Sequence, residues 1–278
     1  MLIDQGRGPA LVLIPGIQGR WEYMRPAIDA LSAQYRVITF PLCGERRSKH
    51  PYDPQRGFDN YVEQTAAVLA EKRIDRAVLC GVSFGGVVAL QFAAAFPERT
   101  AALILASTPA PMWHLRRRHE IYTRVPWIFG PVFLAESPWR LRAEIAAALP
   151  DGRERRAFKR RLLRTLVASP LSVTRMAARA KLMNGMDFRA ECARITAPTL
   201  VVTGEAGLDH VVRVDESIDY ARLIPNARTM VLERTGHLGS ITRPHAFAAI
   251  VKAFLASANE HDALATRSAV EREIVGTR

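Results

Sequence analysis

The stretch AVLCGVSFGG, Ala77 to Gly86, decides how this chain is read. It opens on a short apolar run, Ala77-Val78-Leu79-Cys80, which suits a strand covered on both faces. From Phe84 onward a run of small and apolar residues reads as a helix that stops before Pro97. Between the two, Gly81-Val82-Ser83-Phe84-Gly85 fits G-x-S-x-G, a strand-to-helix turn so tight that only glycines tolerate its crowding. Such a turn holds the Ser83 hydroxyl beyond the strand and at the mouth of a helix. The N–H groups there can hold a developing negative charge. The same five-residue pattern also occurs in ordinary glycine-containing turns, and the flanking strand and helix separate the two readings.

Outward from this segment the strand–helix rhythm repeats. Residues 11–14 and 37–40 are buried-strand runs that end at Pro15-Gly16 and at Pro41. Residues 58–72 have helical period, and a strand at 103–106 closes on Thr108-Pro109. The rhythm breaks near residue 109 and resumes with PTLVVTG at 198–204. A helix near 215–223, a strand at 229–232 and a helix over 244–256 follow. This alternation predicts an α/β fold, a mostly parallel central sheet flanked by helices, interrupted by a helical insertion. The expected division is a core formed by 1–108 and 191–258, a helical cap over 109–190, and a polar, frayed tail over 259–278.

The chain has 278 residues, enough for one large domain with an insertion, and a net charge of +12. The charge is local. Residues 110–190 hold 17 Lys/Arg against 6 Asp/Glu, a net +11, so the remainder sums to +1. In the arginine-rich run at 153–164 and just beyond it, Phe158, Leu162, Leu163 and Leu166 follow one helical face. The first reading is a solvated outer face of the cap, and the second an anionic substrate or a weak anionic-membrane contact. No nucleic-acid partner is expected, because zinc-ligand spacing, an RNP-like aromatic run and a helix-turn-helix signature are all missing. Cys43, Cys80 and Cys192 are odd in number and widely spaced, which argues against a disulfide framework and a zinc site. No metal or other cofactor is expected. With no apolar run of membrane-spanning length and no secretory leader pattern, the expected location is the cytoplasm.

A nucleophilic serine needs a base to take its proton and a carboxylate to orient that base. Behind a G-x-S-x-G elbow the partners of the serine follow in the chain as an acid and then a His, each from a strand end. After the 199–203 strand the chain offers Glu205 and Asp209, and after the 229–232 strand it offers His237. Asp209 is the expected acid. Glu205 follows its strand too closely and suits a loop hydrogen bond, and Asp215 suits the cap of the following helix. The other six histidines (His50, His114, His119, His210, His245 and His261) fall in the cap, on helices or away from a strand end.

On LVLIPG at 11–16, GVSFGG at 81–86, PTLVVTGEAGLD at 198–209 and TGHLGSITRPHAFAAIVKAFL at 235–255, the chain resembles the capped members of the α/β-hydrolase superfamily. The resemblance implies a triad of Ser83, Asp209 and His237. It also implies an oxyanion hole formed by the backbone N–H groups of Ile17 and Phe84. Many relatives carry His-Gly where this chain has Pro15-Gly16; a backbone donor survives that change. The loop PLCGERRS at 41–48 only loosely echoes the family's Gly-rich loop. The chain starts almost at the first matching strand, so either the first edge strands are missing or the true start lies upstream.

The activity implied is serine hydrolysis of a carboxylic ester or related small acyl substrate through an acyl-enzyme on Ser83. The alternatives are carbon–carbon bond hydrolysis of a carboxylate-bearing substrate held by a cap arginine, or a non-catalytic receptor or scaffold of the same fold. An epoxide- or halide-displacing relative would need Asp at position 83. Trp113, Trp127, Phe129, Phe133 and Trp139 are expected mostly to pack within the cap, with one or two lining its cavity.

Overall fold

The structure is a computed structural model, and it describes residues 1–258. Seven strands form one sheet: β1 (Ile3–Gln5), β2 (Ala10–Ile14), β3 (Arg36–Thr39), β4 (Ala77–Val82), β5 (Thr100–Ala106), β6 (Thr199–Thr203) and β7 (Ala227–Val231). Their spatial order is β1-β3-β2-β4-β5-β6-β7, with only the β1–β3 pair antiparallel. The helices α1 (Arg25–Leu31), α2 (Asp59–Glu71) and α3 (Phe84–Ala95) connect the first strands. Between β5 and β6 come α4 (Arg117–Arg124), α5 (Pro126–Arg140), α6 (Arg142–Ala148), α7 (Gly152–Ala168), α8 (Val173–Met183) and α9 (Arg189–Arg194). After them stand α10 (Val214–Ser217), α11 (Tyr220–Leu223), α12 (Gly239–Thr242) and α13, over residues 244–258.

Alternation along each strand sends its side chains into two different cores. Val12, Ile14, Leu79 and Leu103 pack with Tyr61, Phe84 and Phe92 from α2 and α3. Leu11, Leu13, Val78, Cys80 and Ile104 pack with Ile28 and Leu31 of α1 and with Phe247, Val251 and Phe254 of α13. Each buried aliphatic side chain contributes about 1.5–3 kcal/mol. Because both faces are covered, the central strands read as continuous apolar runs, and every residue of β4 is buried.

The crossover from β2 to β3 runs one way along the sheet, and the next, to β4, runs back across β2. The ends of β2 and β4 therefore flank the point where the strand order reverses, the place where open sheets of this kind bind their ligands. Register puts Ile14 beside Gly81, Val82 beside Ala106, Ala106 beside Val202 and Thr203 beside Val231. The loops after β2, β4, β5, β6 and β7 thus leave from one edge.

The helices between β5 and β6 are fastened to the sheet by buried polar contacts. Tyr23 Oη donates to the Ser169 carbonyl at 2.7 Å. Arg179 of α8, 2% exposed, pairs with the equally buried Glu45 at 2.8 Å and donates to the Ile17 carbonyl at 2.9 Å.

Several sequence expectations are corrected. An edge strand is present at the start, since β1 pairs with β3; its polar, three-residue sequence carries no strand signal. The expected helix near 215–223 is two short helices, α10 and α11. Asp215 lies inside the first turn of α10, paired with Arg213, and does not cap it. Leu163 points to solvent, 62% exposed, whereas Phe158 is buried. Trp127 and Trp139 are exposed, not packed, while Trp113, Phe129 and Phe133 are partly buried. The tail expected over 259–278 lies outside the described residues. Among the described residues no helix is long and apolar enough to cross a membrane.

Candidate active site

Ser83 sits between the last residue of β4 and the first of α3 with φ 55° and ψ −120°, a region that non-glycine residues rarely occupy. Steric closeness explains the glycines around it. A Cβ on Gly81 would fall on the Gly85 carbonyl, one on Gly85 on the Ile14 carbonyl, and one on Gly86 on the Thr108 side chain. The turn is thus wedged between β2 and the loop after β5. The Ser83 N–H donates to the Ala106 carbonyl at 2.9 Å and the Gly86 N–H to the Ser83 carbonyl at 2.8 Å, which fixes the serine's backbone from both sides. Ser83 itself is buried.

The N–H of Phe84, at the first position of α3, has no acceptor among the described residues, and neither has the N–H of Ile17 in the loop after β2. Two unpaired donors on adjacent strand ends, one of them at a helix N-terminus, are suited to an anionic oxygen.

Two glycines bring the acid and the histidine together. A Cβ on Gly204 would meet the Thr235 carbonyl oxygen at 2.5 Å and Gly236 Cα at 2.6 Å, so the loops after β6 and β7 nest only without side chains there. Glu205 ties the same loops, as its N–H donates to the Thr235 carbonyl at 2.8 Å and its carboxylate accepts from the Arg234 N–H at 2.6 Å. Its place is the loop hydrogen bond that its sequence position suggests.

His237 Nδ1 comes to 3.5 Å from Asp209 Oδ2, with the Asp209 side chain fully buried and that of His237 nearly so. That separation is longer than a formed hydrogen bond, and neither atom has another partner among the described residues. The other carboxylate oxygen of Asp209 accepts from the N–H groups of Val211 and Val212, each at 2.9 Å. Burial by itself pushes the Asp209 carboxyl up; the imidazole of His237 and those two N–H groups outweigh it and hold the carboxyl below its usual range. Asp209 is therefore an anion aimed at the imidazole. A second carboxylate reaches the neighbourhood of His237 from outside the strand ends.

That group is Glu144 of α6, which no sequence signal reveals: in the run Arg142 to Ala148 it reads as one more solvated helix residue. It is fully buried. One oxygen accepts from the Leu238 N–H, directly after His237, and the other is buried with no partner. Burial pushes its carboxyl up to about 7, opposed by the Leu238 N–H and by the charge of His237. Arg179 is the second group that the sequence hides. It holds the carbonyl of Ile17 and so the loop that bears one unpaired donor.

The three cysteines are free and buried, and burial pushes each thiol up to about 12, so none is a ready nucleophile. Among the described residues no cluster of His, Cys, Asp and Glu could hold a metal ion. An open groove of about 590 Å³ lined by Phe158, Arg161, Ile241 and His245 includes neither Ser83, Asp209 nor His237.

Fold and site together define a protein class: a mostly parallel sheet carrying a strained serine at a strand–helix turn and an Asp–His pair on later strand ends. The chain belongs to the alpha/beta hydrolase fold family, whose pattern matches residues 9–244. It is 29% identical over 247 residues to the poly(3-hydroxyalkanoate) depolymerase of Ectopseudomonas oleovorans, covering 88% of this chain and 83% of that protein. It is 28% identical over 255 residues to the pimeloyl-[acyl-carrier protein] methyl ester esterase of Aeromonas hydrophila, covering 90% and 96%. Among solved structures, a bromoperoxidase from Bacillus anthracis superposes with a TM-score of 0.76 at 21% identity, over 91% of this chain and 94% of that one.

Proposed function

We propose that the protein is a serine hydrolase acting on a carboxylic ester or related small acyl substrate. The observation that carries this reading is the approach of His237 to the buried anion Asp209 on strand ends that share an edge with the strained Ser83. Ser83 Oγ attacks the acyl carbon while His237 takes its proton. The Phe84 and Ile17 N–H groups hold the oxygen of the tetrahedral intermediate. As that intermediate collapses, His237 protonates the departing alcohol, leaving an ester on Ser83. A water deprotonated by His237 then attacks this ester, releasing the acid and restoring the serine. Asp209 remains an anion and accepts a hydrogen bond from the His237 Nδ1–H, which leaves Nε2 free to act and stabilises the imidazolium. The relative named as a methyl ester esterase supports an ester as the first substrate class to try.

The carboxylate-bearing alternative needs a cap arginine free to hold an anion. Arg179, the buried arginine of the cap among the described residues, is already committed to Glu45 and to the Ile17 and Cys43 carbonyls.

A fluorophosphonate probe, with the adduct located by peptide mass spectrometry, tests the proposal beside an ester panel of graded acyl length. Labelling at Ser83 that vanishes in His237→Ala, with ester turnover lost by several orders of magnitude in Ser83→Ala, is expected. A folded protein that neither labels nor hydrolyses any ester sinks it and favours a ligand-binding role.

A further inference from the structure

Helix α5 carries an outward face without a single polar residue. Its exposed positions are Trp127, Ile128, Pro131, Val132, Ala135, Pro138 and Trp139. At 3.6 residues per turn these seven fill one continuous arc of about 140°. Trp127 is 67% exposed, Ile128 57% and Trp139 68%. The opposite side of the helix is already in use. A Cβ on Gly130 would come within 2.6 Å of Val173 on α8, Phe129 stacks on Tyr122 of α4, and Phe133 meets His119 edge-on. The bare face is therefore not a packing surface awaiting a neighbour within the described residues. Contiguous apolar patches of this kind mark sites of association.

The segments that flank the patch in the chain carry one sign of charge, and Arg118 and Arg142 reach α5 itself. Residues 116–142 hold six arginines against two glutamates. Arg116, Arg117, Arg118, Arg124 and Arg142 are exposed, whereas both glutamates are half-buried and Glu136 pairs with Arg118. The Arg142 guanidinium lies 3.4 Å from the centre of the Trp139 ring, which sets a cation beside an indole.

We propose that α5 docks this face onto an anionic lipid bilayer, lying in the interface with its flanking arginines against the headgroups. Charge complementarity chooses this occupant. A second copy packed face to face would set flanking arginines against flanking arginines, because a two-fold interface pairs each patch with itself. A bilayer of acidic lipid accepts both features, with apolar depth for the tryptophans and aliphatics and negative charge for the arginines. At fifteen residues α5 lies on the membrane and does not span it.

The test is flotation of the full chain with phosphatidylcholine vesicles, with and without phosphatidylserine, at low and high salt. Tryptophan emission is followed in parallel, and sedimentation velocity gives the oligomeric state. Binding is expected only to the phosphatidylserine vesicles, with a blue shift of the emission and weakening by salt. Ile128→Glu with Val132→Glu should cut the partition coefficient by about tenfold or more while leaving the thermal melt unchanged, since both positions face solvent. Arg117→Gln with Arg124→Gln should weaken binding through charge alone. Equal binding to neutral vesicles overturns the proposal. So does binding that Ile128→Glu with Val132→Glu leaves intact, which would be adsorption by the cap's charge elsewhere. A dimer that this pair dissolves, with vesicles left unbound, assigns the face to self-association instead.

Discussion

Replacing Glu144 by Gln should change how stability depends on pH, in a direction fixed by its burial. Its carboxyl ionises near 4.5 in the unfolded chain and is pushed up to about 7 in the folded one. Between those values the unfolded state has lost a proton that the folded state keeps, so stability falls as pH rises. At ~1.4 kcal/mol per pH unit the interval amounts to about 3 kcal/mol, fully expressed above pH of about 7 and absent below the unfolded value. Glutamine resembles the protonated acid, keeps an oxygen for the Leu238 N–H and does not titrate. Wild type and Glu144→Gln should therefore be nearly equal in stability at low pH. Near pH of about 8 the variant should be the more stable by about 3 kcal/mol, a Tm difference of roughly 5–10 °C for a chain of this size. Urea midpoints over a pH series, with the variant's curve subtracted from the wild type's, isolate the effect because other titrations largely cancel. Parallel curves would show that Glu144 ionises normally and that its burial beside His237 carries no electrostatic cost.

Gly85→Ala should cost about 1–3 kcal/mol or more and abolish probe labelling at Ser83, because its Cβ would fall on the Ile14 carbonyl; a variant of normal stability and labelling refutes the wedged turn. Arg179→Met should destabilise by about 3–5 kcal/mol by leaving the buried Glu45 to the looser, more exposed Arg175 at 3.5 Å, while adding Glu45→Leu should recover much of the loss; urea midpoints with no recovery would mean that the pair acts through something other than undercompensated charge.

Features with local causes can be read from the order of residues alone. Strands β2, β4, β5 and β6 were legible because residues buried on both faces must be apolar without interruption. The elbow was legible because the crowding around Ser83 demands glycine at fixed offsets. Asp209 and His237 could be picked out because strand ends are visible as the places where such runs stop. Strand β1 was not legible, since three residues on an edge need only a partner's hydrogen bonds and not an apolar face. Nor could sequence tell that Trp127 and Trp139 face outward, because an aromatic in a helix looks the same whether its neighbour is protein or solvent. Glu144 is the sharpest case. Its environment is made by a helix closing over a loop 94 residues away, and only that closure turns an ordinary glutamate into a buried carboxyl beside the histidine.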